Sequence, residues 1–210
     1  MILEKTSYNL KDEFKEELSQ SLTQILDSEK IISGFSIENN DNEQYTSRDF
    51  LDRVKESYRL KKTTFLTSNL NSNFRSTKSL SLDIREKFLN VTTDFAVKHT
   101  EFKKELSTIT GCMIYPKNGY MGWHNNSRVG WRLYCTYCVE QAKSYFRYED
   151  DNGNFIDSNE NKGWNFRLFF VRDNLSPLWH SVYTESERIA IGTYIGRDFS
   201  KIQNIIGDKK

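Results

Sequence analysis

Two histidines and one arginine in the second half of the chain are spaced in a way that could support metal chemistry. His124 is followed 56 residues later by His180, and Arg188 lies eight residues beyond it. Two imidazoles and one carboxylate on one face of an open site form the facial triad of non-haem Fe(II) centres. A guanidinium beside such a site would bind a carboxylate through two parallel hydrogen bonds. The spacing therefore predicts a metal site with a carboxylate-binding arginine.

The motifs around these residues resemble the Fe(II)/2-oxoglutarate-dependent dioxygenases, in particular their prolyl-hydroxylase-like branch. A Tyr-Pro-Lys-Asn-Gly segment at 115–119 leads to the first histidine, and His-Ser-Val at 180–182 precedes the arginine. The resemblance covers roughly residues 110–196. It implies a double-stranded β-helix (jelly-roll) core, with the first histidine on an early strand and the second histidine and the arginine on late strands.

The resemblance implies a metal set of His124, Asn126 and His180, with one departure from the family pattern. Two residues after the first histidine the family has Asp or Glu, whereas this chain has Asn126. An amide offers only a neutral carbonyl oxygen, so iron affinity should fall. Asn126 is compatible with weak ligation, with a position left open to water or an anion as in related halogenases, or with lost catalysis. An acid from the 149–151 loop could also replace it.

The resemblance also implies a cosubstrate set. Arg188 should bind the distal carboxylate of 2-oxoglutarate, and the Tyr115 hydroxyl should lie near the cosubstrate. A second tyrosine is expected from the strand after the metal motif, where Tyr134 and Tyr137 both qualify. Because side chains alternate along a strand, only one of them can face inward, and we favour Tyr137.

Each of these residues also has a plainer interpretation. His124 is compatible with a polar residue beside aromatic packing, and His180 with a hydrogen-bonded core histidine, since a buried imidazole needs a partner. Arg188 is compatible with a surface salt bridge to Glu185 or Glu187. The third histidine, His99, is expected to be structural or solvated.

Composition excludes several classes of protein. The 210 residues suit one domain, which we divide into a helical part at about 1–110, a jelly-roll core at about 111–196 and a tail at 197–210. The net charge of +1 argues against a general nucleic-acid binder. No apolar run approaches the roughly 20 residues that a membrane span requires. The three cysteines, with no signal peptide, predict a reducing, cytoplasmic location.

Helices are predicted in the first half of the chain. Apolar residues recur at helical spacing over 10–29, 48–61 and 81–106, with a break near Thr92-Thr93 in the third helix. Short strands are predicted at 31–37 and 63–66. The resemblance implies that helices ahead of the strand-rich half buttress one sheet. The fold class we predict is therefore α+β, a jelly roll with N-terminal buttressing helices.

Short strands are predicted throughout the second half. They lie at 112–115, 132–140, 145–148, 165–171, 178–182 and 188–194, whereas 149–162 is predicted to be an acidic, Asn-rich loop. Strands this short and evenly spaced favour a sandwich or jelly roll over a parallel α/β sheet. Cys135 and Cys138 should point to opposite faces of their strand, and Trp123 and Trp179 are expected to pack in the core.

The function this resemblance implies is an Fe(II)/2-oxoglutarate-dependent hydroxylase that acts on a protein or peptide side chain, with ascorbate as a further cofactor. The alternative is a catalytically impaired jelly-roll binding or assembly module that retains the fold. Neither substrate identity nor oligomeric state follows from the sequence. Asn126 separates the two interpretations, because restoring a carboxylate there should strengthen metal binding only if the pocket is otherwise intact.

Overall fold

Antiparallel strands form most of the second half of the chain. The computed structural model describes residues 5–31, 43–61, 77–126, 128–173 and 175–209. The helices in these ranges are α1 (Asp12–Glu29), α2 (Arg48–Lys61), α3 (Leu82–His99) and α4 (Phe199–Ile202). The strands are β1 (Ser7–Leu10), β2 (Lys78–Ser79), β3 (Thr108–Tyr115), β4 (Gly119–His124), β5 (Gly130–Cys138), β6 (Ser144–Glu149), β7 (Phe155–Glu160), β8 (Gly163–Val171), β9 (His180–Thr184), β10 (Arg188–Tyr194) and β11 (Ile206–Lys209).

The described strands form two sheets. A seven-stranded sheet has the order β11-β1-β8-β5-β10-β3-β2, and a four-stranded sheet has the order β4-β9-β6-β7. Every pairing among them is antiparallel. The chain is thus an α+β protein built around a sandwich of antiparallel sheets, as the even spacing of its short strands predicts.

Apolar side chains from both sheets meet between them. Phe146 and Val182 of the small sheet pack with Phe169, Val171 and Ala190 of the large one. Full burial of a side chain such as phenylalanine contributes about 1.5–3 kcal/mol. This contact holds the sheets face to face and leaves polar residues of the same strands enclosed beside it.

Helices α1 and α3 cover the other face of the large sheet. Leu22 of α1 and Phe88 of α3 are fully buried there against Leu133 and Leu168. Ser81 caps α3 by accepting a hydrogen bond from the backbone N–H of Ile84. This arrangement agrees with the prediction that N-terminal helices buttress one sheet.

A smaller aromatic cluster covers the outer face of the four-stranded sheet. Trp123 and Trp179 pack there with residues of α2, and the indole N–H of Trp123 donates to the Ser47 carbonyl at 2.8 Å. Tyr45 stacks on Tyr120 with ring centroids 4.8 Å apart. Both tryptophans therefore pack in the core, as predicted.

The predicted helices at 48–61 and 10–29 correspond closely to α2 and α1. Helix α1 starts at Asp12, because residues 7–10 form β1 instead. The third helix ends at His99 rather than 106, and it has no break at Thr92. The Thr92 hydroxyl bonds the Phe88 carbonyl inside the helix and the Thr193 hydroxyl of β10 at 2.7 Å. A residue that favours strands is thus held in the helix by a tertiary contact.

Two parts of the strand prediction need correction. The segment 149–162, predicted as a loop, contains β7, and the predicted tail 197–210 contains α4 and β11. Strand β7 is an edge strand whose buried residues, Ser158 and Glu160, are themselves polar, so its composition resembles that of a loop. The predicted strand at 63–66 and residues 32–37 of the one at 31–37 lie outside the described residues.

No helix in the described ranges is both long and apolar enough to cross a membrane.

Gly130 begins β5 with a φ of +138°, where an added Cβ would lie 2.6 Å from the Gly196 carbonyl oxygen. We expect Gly130→Ala to lower the free energy of unfolding by about 1–3 kcal/mol, as measured by urea denaturation. Gly111→Ala in β3 is the matched control, because nothing lies within 4 Å of its added Cβ. Equal losses in the two variants would show that the backbone at Gly130 is not constrained.

Candidate metal and anion site

A tight turn carries the chain from the large sheet to the small one just before His124. Asn118 has a left-handed φ of 55°, and the Gly119 N–H donates to the Pro116 carbonyl at 2.8 Å. A Cβ on Gly119 would lie 2.5 Å from that same carbonyl oxygen. The Pro-Lys-Asn-Gly segment therefore has a physical role, because asparagine and glycine tolerate the geometry that such a turn requires.

A β-bulge in β4 turns His124 towards the interior. Met121 pairs with Val182 and His124 pairs with His180, so three steps along β4 match two along β9. Simple alternation would place Met121 and His124 on opposite faces, whereas the bulge puts both between the sheets. Trp123 therefore packs in the aromatic cluster on the outer face of the four-stranded sheet, while the adjacent His124 lies between the sheets.

His124 and His180 are buried side by side, with ring centroids 4.1 Å apart. Nδ1 of His124 lies 2.9 Å from the Gly122 carbonyl oxygen, and Nδ1 of His180 lies 3.0 Å from the Leu178 carbonyl oxygen. A carbonyl can only accept, so each Nδ1 carries a proton, and in the neutral form of each ring the lone pair is on Nε2. This is how outer partners hold histidines that ligate metals.

The environment keeps His180 uncharged. Burial lowers the pKa of His180 well below its ordinary value of 6.5, and the neighbouring His124 lowers it further. A neutral imidazole is the form that binds a metal ion. The plainer interpretation of His180, a hydrogen-bonded core histidine, accounts for its Nδ1 contact but not for a second buried imidazole whose ring centroid lies 4.1 Å away.

Asn126 lies beside His180. Its Nδ2 is 3.3 Å from Nε2 of His180, so the three residues predicted as metal ligands are brought together. Within the described ranges, no three His, Cys, Asp or Glu side chains cluster in a way that could hold a metal. The donors available to a metal here are thus two imidazoles and the amide of Asn126, which could present its oxygen after rotation. Two neutral imidazoles suit a divalent transition metal.

The acids of the 149–151 segment do not replace the missing carboxylate. Glu149 is 2.5 Å from Lys55 Nζ on the outer side of the small sheet, and Asp151 is 2.7 Å from Arg172 Nη1. Both are engaged with cations, and among the described residues neither joins the two histidines in a group that could hold a metal. The site therefore has no carboxylate donor among these candidates.

Arg188 is fully buried at the start of β10 and forms an ion pair with Glu160. Its Nε donates to Glu160 Oε2 at 2.6 Å and its Nη2 donates to Oε1 at 2.9 Å. The surface salt bridge to Glu185 or Glu187 that the sequence leaves open is therefore wrong. The two parallel hydrogen bonds expected from a ligand carboxylate are made instead by the chain's own glutamate.

Other donors complete the surroundings of Glu160. Arg167 Nη2 donates to Oε1 at 2.8 Å, and the hydroxyls of Thr136 and Ser144 donate to the two oxygens at 2.9 and 2.8 Å. Burial would raise the pKa of the Glu160 carboxyl, but Arg188 and Arg167 outweigh it and hold the pKa well below its usual range. The same carboxylate raises the pKa of Arg188 against the opposing effect of burial. Glu160 and Arg188 are therefore charged. Burial lowers the pKa of Arg167, but a guanidinium is not deprotonated in proteins, so Arg167 is charged as well.

Arg188 does not fit the role that the resemblance implies for it. Its Nε–Nη2 edge is the one that pairs bidentately with a carboxylate, and Glu160 occupies that edge. The distal carboxylate of 2-oxoglutarate would have to displace Glu160 to bind there in the same manner. The metal half of the predicted site and its cosubstrate half thus differ, since the first is brought together and the second is already filled.

Positive charge is nevertheless in excess between the sheets. Arg132, Arg167 and Arg188 are the buried arginines of the described chain, and Glu149 and Glu160 are its buried carboxylates. Because Glu149 lies on the outer side with Lys55, Glu160 leaves two of these three charges uncompensated. Burial lowers the pKa of Arg132 only to about 10. Arg132 Nε, Arg167 Nη1 and Arg188 Nη1 are buried without a hydrogen-bond partner among the described residues. Such donors favour an anion.

The tyrosine preference is reversed. Tyr134 packs between the sheets against Phe169, with ring centroids 5.0 Å apart. Tyr137 packs on the helix side against Trp164, so the expectation that it faces inward is wrong. Tyr115 faces inward, with the Arg188 guanidinium 4.9 Å from its ring centroid, and burial raises its pKa to about 12. Contact of Tyr115 or Tyr134 with a cosubstrate stays a prediction.

The remaining candidates are structural. His99 Nε2 lies 3.0 Å from Glu17 on the helical side, as expected for a structural histidine. The three cysteines are free and buried. Cys135 packs towards the helices, while Cys138 points the opposite way and donates to Glu160 at 3.4 Å, which agrees with the predicted strand geometry.

Sequence reasoning missed Glu160, Arg167 and Arg132. Glu160 falls in the segment predicted as a loop, and Arg167 lies in the predicted strand at 165–171, for which no functional residue was predicted. The available signal was an arginine inside Asn-Phe-Arg-Leu-Phe-Phe, because a charge in a buried strand needs a partner of opposite sign. Nothing in the sequence names that partner, since the two residues meet through the fold.

Comparison with known proteins gives distant structural likenesses. No family model and no curated protein matches the chain. A Pseudomonas putida prolyl-4-hydroxylase matches with a TM-score of 0.42 and 11% identity, over 84% of this chain and 99% of that one. A full-length Neurospora crassa protein in complex with alpha-KG matches with a TM-score of 0.36 and 9% identity, over 90% and 73%. The same protein with alpha-KG and thymine gives 0.39 and 10%, over 89% and 73%. TM-scores below 0.5 do not establish a shared fold.

Proposed function

We propose that this chain is a jelly-roll protein of the Fe(II)/2-oxoglutarate oxygenase type that binds a divalent metal between its sheets. The ligands are His124 and His180, with Asn126 as a neutral third donor. The observation that carries the proposal is the pair of adjacent imidazoles whose Nδ1–H groups are both fixed on backbone carbonyls. Histidine rings held in this tautomer present Nε2 lone pairs, which a metal can use.

The reaction we propose for this centre is hydroxylation of a protein or peptide side chain. A bound Fe(II) would supply the oxygen chemistry, while the chain's residues hold the metal and exclude water from it. The excess buried charge and the unpaired N–H groups of Arg167 and Arg188 favour an anionic cosubstrate, for which 2-oxoglutarate is the candidate. The resemblance to the prolyl-hydroxylase-like branch supports the substrate class.

The second candidate is a non-catalytic binding or assembly module with the same fold. Two observations favour it. Asn126 removes the carboxylate that would balance the charge of the metal. Glu160 occupies the edge of Arg188 that a cosubstrate carboxylate would use. In this function the site would bind a metal or a small anion without turnover.

Anaerobic titration with Fe(II), followed by calorimetry, tests the metal site. We expect one metal per chain, and we expect His124→Ala or His180→Ala to weaken binding at least about 10-fold. His99→Ala is the matched control, since His99 pairs with Glu17 on the helical side and should leave the affinity unchanged. Unaltered affinity in both site variants would sink the metal-binding proposal.

Addition of 2-oxoglutarate to the Fe(II)-loaded protein separates the two functions. A visible charge-transfer band, with succinate formed on admission of oxygen, would support the hydroxylase. Metal binding with neither the band nor succinate would support the binding module.

A further inference from the structure

The surroundings of Glu160 are those of a complete carboxylate-binding site. Its two oxygens accept hydrogen bonds from Arg188 Nε and Nη2, Arg167 Nη2 and the hydroxyls of Thr136 and Ser144. Charge-assisted bonds to a guanidinium are roughly twice as strong as neutral ones, and the bidentate geometry fixes orientation. Such a set of donors would bind any small carboxylate that could enter.

Every one of these donors comes from a strand other than the one that carries Glu160. Thr136 lies on β5, Ser144 on β6, Arg167 on β8 and Arg188 on β10. Glu160 is the last residue of β7, the edge strand of the small sheet. All these donors therefore belong to strands other than β7, and Glu160 reaches them from the edge strand of the small sheet, opposite Ser144 in the β6–β7 pairing.

We infer that the Arg167–Arg188 pair is a carboxylate receptor whose occupant is the chain's own Glu160. The Glu160 carboxylate binds the Nε–Nη2 edge of Arg188 as an external carboxylate would, and so prevents one from binding there. This inference rests on the proposed function only in placing the receptor between the same two sheets as the metal site. It assigns Glu160 a role as a built-in ligand that excludes small aliphatic carboxylates from the Nε–Nη2 edge of Arg188. The Nη1 groups of Arg167 and Arg188, which the proposed function assigns to an anionic cosubstrate, are not occupied by Glu160.

Mild changes of pH do not release Glu160 from Arg167 and Arg188. The two arginines hold the pKa of Glu160 below its usual range, so the carboxylate stays ionised near neutrality. An external carboxylate competes against a group that is tethered and fully hydrogen-bonded. Removing the Glu160 carboxylate by mutation should therefore be the step that opens the receptor.

Chemical rescue of Glu160→Ala tests this inference. We expect acetate, which has the size of the group removed, to raise the melting temperature of Glu160→Ala by about 3–6 °C at about tenfold its Kd, and acetamide to leave it unchanged. Wild-type protein should show no such shift. The double variant Glu160→Ala/Arg188→Met should lose the rescue, because it lacks the guanidinium that binds the carboxylate through two hydrogen bonds. The measurements are made with EDTA present at constant ionic strength, so they do not depend on metal binding.

If Glu160→Ala does not fold unaided, the yield on refolding with acetate, compared with acetamide, gives the same test. A gain with acetate that disappears in the double variant supports the receptor. Equal behaviour with acetate and acetamide overturns it, as does an Arg188-dependent shift of the wild type by acetate. Because metal is absent, failure of the rescue leaves the proposed metal site untouched, and failure of metal binding leaves the receptor untouched.

Discussion

Glu160→Gln is expected to lower the free energy of unfolding by about 3–5 kcal/mol at pH 7, as measured by urea denaturation. The substitution keeps the size of the side chain and removes its charge. Arg167 and Arg188 would then be buried without the carboxylate that both contact. Removing one partner of a buried ion pair is costly because the remaining charge is left uncompensated in a low-dielectric interior.

The stability lost in Glu160→Gln should become smaller at acidic pH. The pKa of Glu160 is lowered on folding from its ordinary value of 4.5. A carboxyl whose pKa falls on folding contributes stability above its unfolded pKa, and this contribution is lost as the pH falls through the folded pKa. The difference between wild type and Glu160→Gln should therefore be constant between about pH 6 and 8 and shrink below about pH 4.5.

Glu185→Gln is the matched control. Glu185 pairs with Lys143 at 2.5 Å, but both side chains are about half exposed. Exposed pairs contribute about 0–1 kcal/mol, so this variant should lose little stability. Similar losses in Glu160→Gln and Glu185→Gln would contradict the assignment of Glu160 as the counter-ion of two buried arginines.

Asn126→Asp is expected to increase the affinity for a divalent metal by about 10–100-fold or more. The new carboxylate would place a negative charge beside His124 and His180 and complete a set of two histidines and one acid. Loss of an outer partner alone typically changes metal affinity about 10–100-fold, so a direct charged ligand should do no less. Calorimetric titration with Co(II), together with the visible spectrum of the bound ion, measures both affinity and coordination.

Two further variants identify where the gain comes from. Asn126→Asp/His180→Ala should lose most of it, since one imidazole of the site is removed. Asn126→Ala should bind more weakly than wild type if the amide oxygen is a ligand, and equally well if it is not. A wild-type affinity in Asn126→Asp would mean that residue 126 does not face the metal, despite lying 3.3 Å from His180.

Local patterns predicted much of the scaffold. The helices at 10–29 and 48–61 follow from apolar residues at helical spacing, and β5, β8 and β10 follow from short runs of β-favouring residues. Strand β7 was missed because edge strands tolerate the polar residues that also mark loops. Helix α3 lacks the break predicted at Thr92 because that hydroxyl has a partner on β10. Both errors arise where a neighbouring element overrides local preference.

The proposed metal ligands were accessible from the spacing of the two histidines together with the resemblance to a known family. His124, Asn126 and His180 were named from the chain alone, and they lie together. The sequence could not predict which of Tyr134 and Tyr137 lies between the sheets, because that depends on which face of β5 the helices cover. The bulge that turns His124 inward likewise depends on the pairing of β4 with β9.

The residue types and their spacing predicted two imidazoles and a carboxylate-binding arginine, and the family resemblance added Asn126 as a neutral third donor. Which carboxylate that arginine holds was decided by the tertiary structure alone. Glu160 and Arg188 are 28 residues apart on strands of different sheets, and they meet only because the sheets face each other. A buried charge requires a partner of opposite sign, but the requirement does not say where in the chain the partner lies.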